Sequence, residues 1–366
     1  MEGAGGNCLS FLQPNKNKAP VKTNINFMPV KNNRILDRID TSKLIEKIQK
    51  IQNERDFYHL AREVFLFQYQ NCKVFRDYCK LIGFPLHKIE DGIFPYLPIS
   101  FFKHHNVYSS DTPVEKYFMS SGTGGLRSKH PIASLNLYKH SAYQSFKHFY
   151  GEPQQYAFLA LLPNYIEQGD SSLVYMLNYF IELSEKKGSG FYLYNHQDLF
   201  NQLLFNEEHN ITSILWGVSY ALLDFAEKYR VKLTNTIVME TGGMKGRRKE
   251  MVRDELHSIL KEAFSVDHIH SEYGMTELMS QAYSKRDGIF NTPPQMKISV
   301  RDVNDPFETL PAGKTGVIRI IDLYNIFSCS FIETEDTGYV INDGSFVVTG
   351  RLDYAEMRGC NLLIEK

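Results

Sequence analysis

Three glycine-bearing segments hold the side chains that could do chemistry in this chain. The first, Ser120-Ser121-Gly122-Thr123-Gly124-Gly125, mixes hydroxyls with glycines after the strand-like "KYFM". Glycines let successive main-chain N–H groups turn toward one point and hydroxyls add donors, an arrangement that cradles phosphate. The Gly-Lys-Ser/Thr ending of the nucleotide P-loop is missing, and the same residues also suit an exposed turn. The second, Glu240-Thr241-Gly242-Gly243-Met244, follows "TNTIV". Paired glycines allow a flat ligand to approach the backbone, or simply turn a strand into a helix. The third, "SEYGMTELMSQAY", gathers Tyr273, Gly274, Thr276 and Glu277. An aromatic ring stacks on a base, a hydroxyl donates to phosphate and a carboxylate holds Mg²⁺ through oxygen. The alternative is a helix start capped by Thr276, with Leu278 entering the core.

Other candidates carry less. His104 and His105 are neighbours on an extended-looking segment and cannot both face one site. His268 and His270 share a strand face but lack a third ligand nearby. The cysteines (Cys8, Cys72, Cys79, Cys329 and Cys360) are odd in number and irregularly spaced, which argues against a zinc site and for a reducing compartment.

Strands and helices must position these segments. Short apolar runs ("YFM", "YAFLALLP", "FYLYN", "TSILWGV", "TNTIVMETGG", "VDHIHSEYG") alternate with helical stretches from Glu115 onward. That alternation predicts an α/β domain with a largely parallel sheet, and ligands gather at the carboxyl ends of such strands. Before it, Asp40-Thr41-Ser42 offers a cap for "KLIEKIQKIQ", and apolar spacing predicts one amphipathic helix closing near Gly83. "IFPYLPISFFKHHNV" is broken by proline and reads as extended. After Pro293, short strand-like runs separated by Gly, Asp and Pro predict a smaller β-rich unit. The expected organisation is a flexible tail over 1–33, an α/β core over 34–300 and a small β subdomain over 301–366.

Composition bounds the class. With 366 residues, 43% of them hydrophobic, the chain can bury a large core. A net charge of −1 gives no footprint for nucleic acid. The apolar runs are too short to anchor the chain in a bilayer, and the N-terminus lacks the pattern of a signal peptide. A soluble cytoplasmic protein is expected.

A Ser/Thr/Gly-rich loop, a Gly-Gly turn, Tyr-Gly-x-Thr-Glu, an Asp in a β region (Asp336 in "TEDTG") and Gly-Arg-x-Asp (350–353) follow one another in order. This order resembles the adenylate-forming enzymes, from about Glu115 to the last residue. The resemblance implies their large domain of layered, mostly parallel sheets with helices, and the cofactors ATP and Mg²⁺. By it, the loop from Ser120 to Gly125 meets the β- and γ-phosphates, with Ser121, Thr123 and Gly124 against them. Gly242, Gly243 and Tyr273, with Gly274, hold the adenine, and Thr276 touches the α-phosphate. Glu277 binds Mg²⁺, and Asp336 and Arg351 meet the ribose. The family's Pro-Lys-Gly continuation is replaced by Leu126-Arg127-Ser128-Lys129, so Arg127 or Lys129 is expected to supply the cation.

Within that superfamily, "FLFQYQNCKVFRDYCKLIG", "YLPISFFKHHNV", "LLPNYIEQGDSSLVYM", "WGVSYALLDF" and "MRGCNLLIEK" resemble the acyl-protein synthetase (LuxE) family. The resemblance implies a chain without the mobile C-terminal domain of acyl-CoA ligases. It also implies activation of a carboxylic acid, foremost a long-chain fatty acid, and transfer of the acyl group to a protein thiol at Cys360. A partner reductase, or an acyltransferase or carrier protein, then takes it. A thiolate is the natural acceptor from an acyl adenylate, and Arg351 and Arg358 could lower its pKa; a small buried cysteine is the alternative. Trp216 falls in the region that shapes the acyl pocket, or in the core. Two other readings stay open: an acyl- or aryl-CoA ligase of the phenylacetate type, and a non-catalytic assembly subunit.

Overall fold

The computed structural model describes residues 39–121, 126–163, 169–243 and 251–352. The expected tail over 1–33, Gly122, Thr123, Gly124, Gly125, Asp353, Arg358 and Cys360 lie outside them. The Asp40 carboxylate accepts from the main-chain N–H groups of Ser42 (3.1 Å) and Lys43 (3.3 Å) and so starts α1 (Thr41–Ile48).

Where the spacing predicts a single helix, the chain forms α2 (Glu54–Asn71) and α3 (Lys73–Leu81), broken at Cys72 with φ −92° and ψ 102°. Aromatic packing explains the break. The Phe65 and Phe75 rings are 5.7 Å apart and lie 5.8 and 5.9 Å from Phe331. Ten residues along a straight helix would separate them by about 15 Å. The proline-broken stretch that follows is partly extended, as β1 (Leu97–Pro98), and partly a helical turn, α4 (Phe101–His104).

From there strands and helices alternate. β2 (Lys116–Met119) and β3 (Lys129–Ile132) form an antiparallel hairpin around the glycine-rich segment. α5 (Leu135–Tyr150), β4 (Ala157–Leu161), α6 (Ser172–Ser184), β5 (Gly190–Phe191), α7 (His196–Glu208) and β6 (Ser213–Val218) come next. They lead to α8 (Ser219–Lys228), β7 (Thr236–Thr241), α9 (Arg253–Phe264), β8 (His270–Tyr273) and β9 (Ala282–Ser284). The sheet runs β5-β4-β6-β7-β8-β9, parallel throughout except for β9.

Strand register sorts the side chains by face. Trp216, Met239 and His270 form one row, and Gly217, Glu240 and Ser271 the next. Val218, Thr241, Glu272 and Tyr283 form the row at the carboxyl ends of β6, β7 and β8. The outer two rows face α5 and α6: the Trp216 ring lies 6.3 Å from both Phe146 and Phe180, and Tyr150 is 3.0 Å from His270 Nδ1. Trp216 is fully buried among these rings. The middle row faces α8 and α9, where Ser219 donates to Glu240 (3.1 Å) and Arg253 Nε lies 3.3 Å from the same carboxylate.

The second sheet contains β10 (Ile289–Phe290), β11 (Met296–Arg301), β12 (Gly316–Asp322), β13 (Phe331–Val340) and β14 (Phe346–Arg351). Its order is β10-β14-β13-β12-β11, antiparallel, and β1 adds to β13 in parallel. The expected boundary at 300/301 falls within β11, and the sheet draws strands from Leu97 and Ile289 as well. Buried Glu333 holds β11, β12 and β13 together by accepting from Arg301 (2.7 and 2.8 Å) and Arg319 (3.3 Å). Among the described residues, no helix is long and apolar enough to cross a membrane.

Candidate functional site

The hairpin of β2 and β3 fixes both ends of the glycine-rich segment. Ser120 donates its N–H to the Ser128 carbonyl (3.0 Å), and its hydroxyl accepts from the Ser128 N–H (2.9 Å). The two cation candidates diverge. Arg127 donates from Nε to the Ser120 carbonyl, while its Nη2 is buried without a hydrogen-bond partner among the described residues. Lys129 is exposed and sits 3.8 Å above the Tyr117 ring. Arg127 therefore borders the segment directly, and Lys129 leans on the outer strand.

Thr276 and Glu277 stand in a turn, closed by the Leu278 N–H on the Met275 carbonyl (3.1 Å), with no helix after it. Side chains from other elements hold this turn from below. His130 Nδ1 lies 2.8 Å from the Thr276 carbonyl, and Asn325 Nδ2 donates to the Glu277 carbonyl (2.7 Å). Asp322 accepts from the main-chain N–H groups of Met279 and Ser280 (both 2.8 Å). Glu277 itself is 4% exposed. Burial pushes its carboxyl up from the usual range; a hydrogen bond from Ser128 and the charges of Lys103 and Arg351 pull the other way.

The Gly-Gly turn ends β7. Gly242 has φ +69°, a left-handed conformation that favours glycine, and a Cβ at Gly243 would meet none of the described residues within 4 Å. Tyr273 ends β8. Its ring is buried against Phe290 and Phe346, and its hydroxyl donates to Asp336 Oδ2 (2.7 Å). Burial raises the Asp336 carboxyl, against the pull of Tyr273 and Arg351. Asp336 pairs in register with Arg351 across β13 and β14, while the guanidinium reaches Glu335 (2.7 Å). A Cβ at Gly274 would lie 2.3 Å from Glu272 Oε1, so that carboxylate would have to move to admit one. Glu272 accepts from Thr241, and burial lifts its carboxyl to about 7.

Among the described members of the expected site, Ser120 reaches Glu277, next to Thr276, through Ser128, which the motifs did not single out; Tyr273 donates to Asp336, which pairs with Arg351 across β13 and β14. Ser121 is half-buried beside Ser120. Cys360, with Gly122 to Gly125, lies outside the described residues. His104 and His105 are both exposed at the end of α4. Burial pushes His270 down to about 4.

Sequence reasoning missed Ser128, His130, Lys103 and Asn325. Ser128 and His130 had a faint signal: two polar residues at strand period pointing one way, both buried (2% and 0% exposed). Asn325 follows the apolar run of β12 and is 2% exposed, a buried amide that must find partners. Lys103 gave no local sign, because its place depends on β1 pairing with β13.

Among known proteins, no family model matches the chain. A long-chain-fatty-acid–luciferin-component ligase of Photorhabdus luminescens is 35% identical over 78 residues, 20% of this chain and 63% of that ligase. Among solved structures, ATP-bound MatB of Rhodopseudomonas palustris matches with a TM-score of 0.51 at 15% identity. It covers 68% of this chain and 49% of its own. An ATP-bound chimera of MatB and BclM gives a TM-score of 0.50 at 14% identity over the same shares. The chain therefore spans about half the length of the solved structures it matches, and it has the fold of the adenylate-forming enzymes.

Proposed function

We propose that this chain, built on the adenylate-forming fold and similar in part to a fatty-acid ligase, activates a carboxylic acid with ATP and passes the acyl group to a thiol. One observation carries the reading. The segment that bonds Ser120 through Ser128 also holds the Thr276–Glu277 turn through His130, which supports reading Ser120 and the buried Glu277 carboxyl as parts of one nucleotide site. The fatty-acid specificity rests on the partial likeness to the Photorhabdus ligase.

The first step joins a carboxylate oxygen of the acid to the α-phosphorus of ATP. The bond from that phosphorus to the bridging oxygen breaks, and pyrophosphate leaves. No proton moves, so the task of the chain is alignment and charge neutralisation. Ser120, Ser121 and the glycines would hold the outer phosphates, with Arg127 as the nearest cation. Thr276 would donate to the α-phosphate. Asp336 would accept from the ribose hydroxyls, and Gly242 and Gly243 would admit the adenine.

A divalent cation suits this donor set. Among the described residues no group of three or more His, Cys, Asp and Glu is arranged to hold a metal. Mg²⁺ in nucleotide sites needs only one or two carboxylates, with phosphate oxygens and water completing its shell. Glu277 would be that carboxylate, and the ion would neutralise phosphate charge.

In the second step a thiolate adds to the acyl carbon and AMP leaves, producing a thioester. Cys360 is the proposed acceptor. Intact-protein mass after incubation with ATP, Mg²⁺ and a panel of straight-chain fatty acids tests both steps. An acyl-sized gain in wild type that is lost in Cys360→Ala is expected. AMP release with no adduct would move the acceptor to coenzyme A or a carrier protein. Absence of both AMP and adduct with every acid would remove the reading.

A further inference from the structure

Among the described residues, the Thr276–Glu277 turn has little hydrogen bonding of its own: the Leu278 N–H meets the Met275 carbonyl, and the Glu277 carboxyl its own main-chain N–H. Its geometry is imposed by buried side chains from distant parts of the chain. His130, on β3, is fully buried, and its Nδ1 is 2.8 Å from the Thr276 carbonyl. Nε2 of the same ring lies 3.0 Å from Asn325 Oδ1. The Asn325 amide is oriented by the Glu277 carbonyl (2.7 Å) and the Cys329 carbonyl (2.9 Å), which both accept from Nδ2. Two successive carbonyls of the turn are thus each held by one member of a contacting pair. Two positions before His130, Ser128 bonds the Glu277 carboxyl and closes the glycine-rich segment against Ser120.

We propose that His130 and Asn325 are positioning residues that aim Thr276 and Glu277, and that Ser128, just before β3, ties the turn to Ser120 so that the nucleotide and metal contacts of Ser120, Thr276 and Glu277 are set together. Neither residue touches substrate; both act through main-chain carbonyls. The Phe102 ring packs edge-on against the imidazole at 5.7 Å, so the ring has a fixed plane. Burial pushes the His130 pKa down to about 4, which leaves one N–H on the neutral ring. The Thr276 carbonyl and Asn325 Oδ1 both only accept, so the single N–H serves one of them, and the shorter contact, to Thr276, takes it; Nε2 then packs against Asn325 without a hydrogen bond.

The inference rests on the acid-activation reading for its ligand, and the test separates the two. An asparagine amide nitrogen is as many bonds from Cα as His Nδ1, and a glutamine one as many as Nε2. His130→Asn can keep the bond to Thr276, whereas His130→Gln and His130→Leu cannot. ATP binding by calorimetry, in excess Mg²⁺ and in EDTA, is the readout for the full-length protein and each variant. His130→Gln and His130→Leu are expected to lose roughly tenfold or more of the affinity that Mg²⁺ adds, the scale of an outer-shell partner. Their affinity in EDTA should stay near wild type, and His130→Asn should stay near wild type in both conditions. Ser128→Ala, a small change in a folded hairpin, should show the same selective loss if His130→Leu does not fold.

Wild-type Mg²⁺ dependence in His130→Gln, or equal losses with and without Mg²⁺ in both the Asn and Gln variants, would overturn the assignment. ATP binding by wild type that Mg²⁺ does not improve would overturn it as well. A wild-type protein that binds no ATP in either condition would remove the functional reading, and this inference with it.

Discussion

Two buried carboxylates one position apart in register show how local environment divides the work of identical groups. Burial pushes the Glu240 carboxyl up, but His257 and Arg253 hold it below its ordinary value. Glu272, on the other face of the sheet, accepts from the Thr241 hydroxyl and meets no cation among the described residues; burial lifts it to about 7. The sign for stability follows. Between the unfolded value near 4.5 and about 7 the folded chain binds the extra proton, so stability falls as pH rises through that window. The loss is complete above it, on the order of 3 kcal/mol. Glu272→Gln keeps a partner for Thr241 and removes the titration. Its thermal midpoint should change less between pH 5 and pH 8 than that of wild type; an unchanged pH slope in the variant would refute this account.

At the scale of elements, the turns after β7 and β8 give the sharpest expectations. Gly243→Ala adds a methyl that meets none of the described residues, so stability should stay within about 0.5 kcal/mol of wild type. ATP affinity should nevertheless drop if adenine approaches there. Gly242→Ala forces a left-handed conformation on alanine and should cost about 1 kcal/mol in chemical denaturation, ligand or not. If both variants bind ATP as well as wild type, the adenine site lies elsewhere. Gln68 on α2 is fully buried, donates to the Asn325 and Ile326 carbonyls (2.9 and 3.0 Å) and accepts from the Ser330 N–H (3.0 Å). Gln68→Leu leaves those main-chain groups unpaired, and an unfolding free energy lower by about 3 kcal/mol is expected in urea denaturation. The strands β2, β4, β6, β7 and β8 were legible because each is a short apolar run bounded by its own turn residues. The break at Cys72 was not, because it depends on Phe331, far along the chain. The turn at Thr276 was open to a helical reading for the same reason: its holders, His130, Asp322 and Asn325, come from other elements.

Across the whole molecule, the site is assembled from segments that sequence order keeps apart. Pairing of β1 with β13 brings Lys103 to within 3.6 Å of Glu335 and into the field of Glu277. Lys103→Ala should weaken Mg²⁺-dependent ATP binding roughly fivefold, the effect of one partly screened charge, with little change in thermal midpoint. An unaltered affinity would separate Lys103 from the nucleotide. Local motifs announced Thr276, Glu277 and Asp336 because their residue types stand close together; nothing local announces a lysine delivered by a parallel strand. The row pattern of β7 and β8 has one more consequence. Slipping β8 by one residue would turn Glu272 to the face where Glu240 already uses Arg253, crowding two acids onto one cation. Parallel pairings are non-local and form slowly, so misaligned encounters are frequent while the chain searches. The charge pattern would add its own penalty to the off-by-one alignment, beside the exchange of every side chain between the two faces.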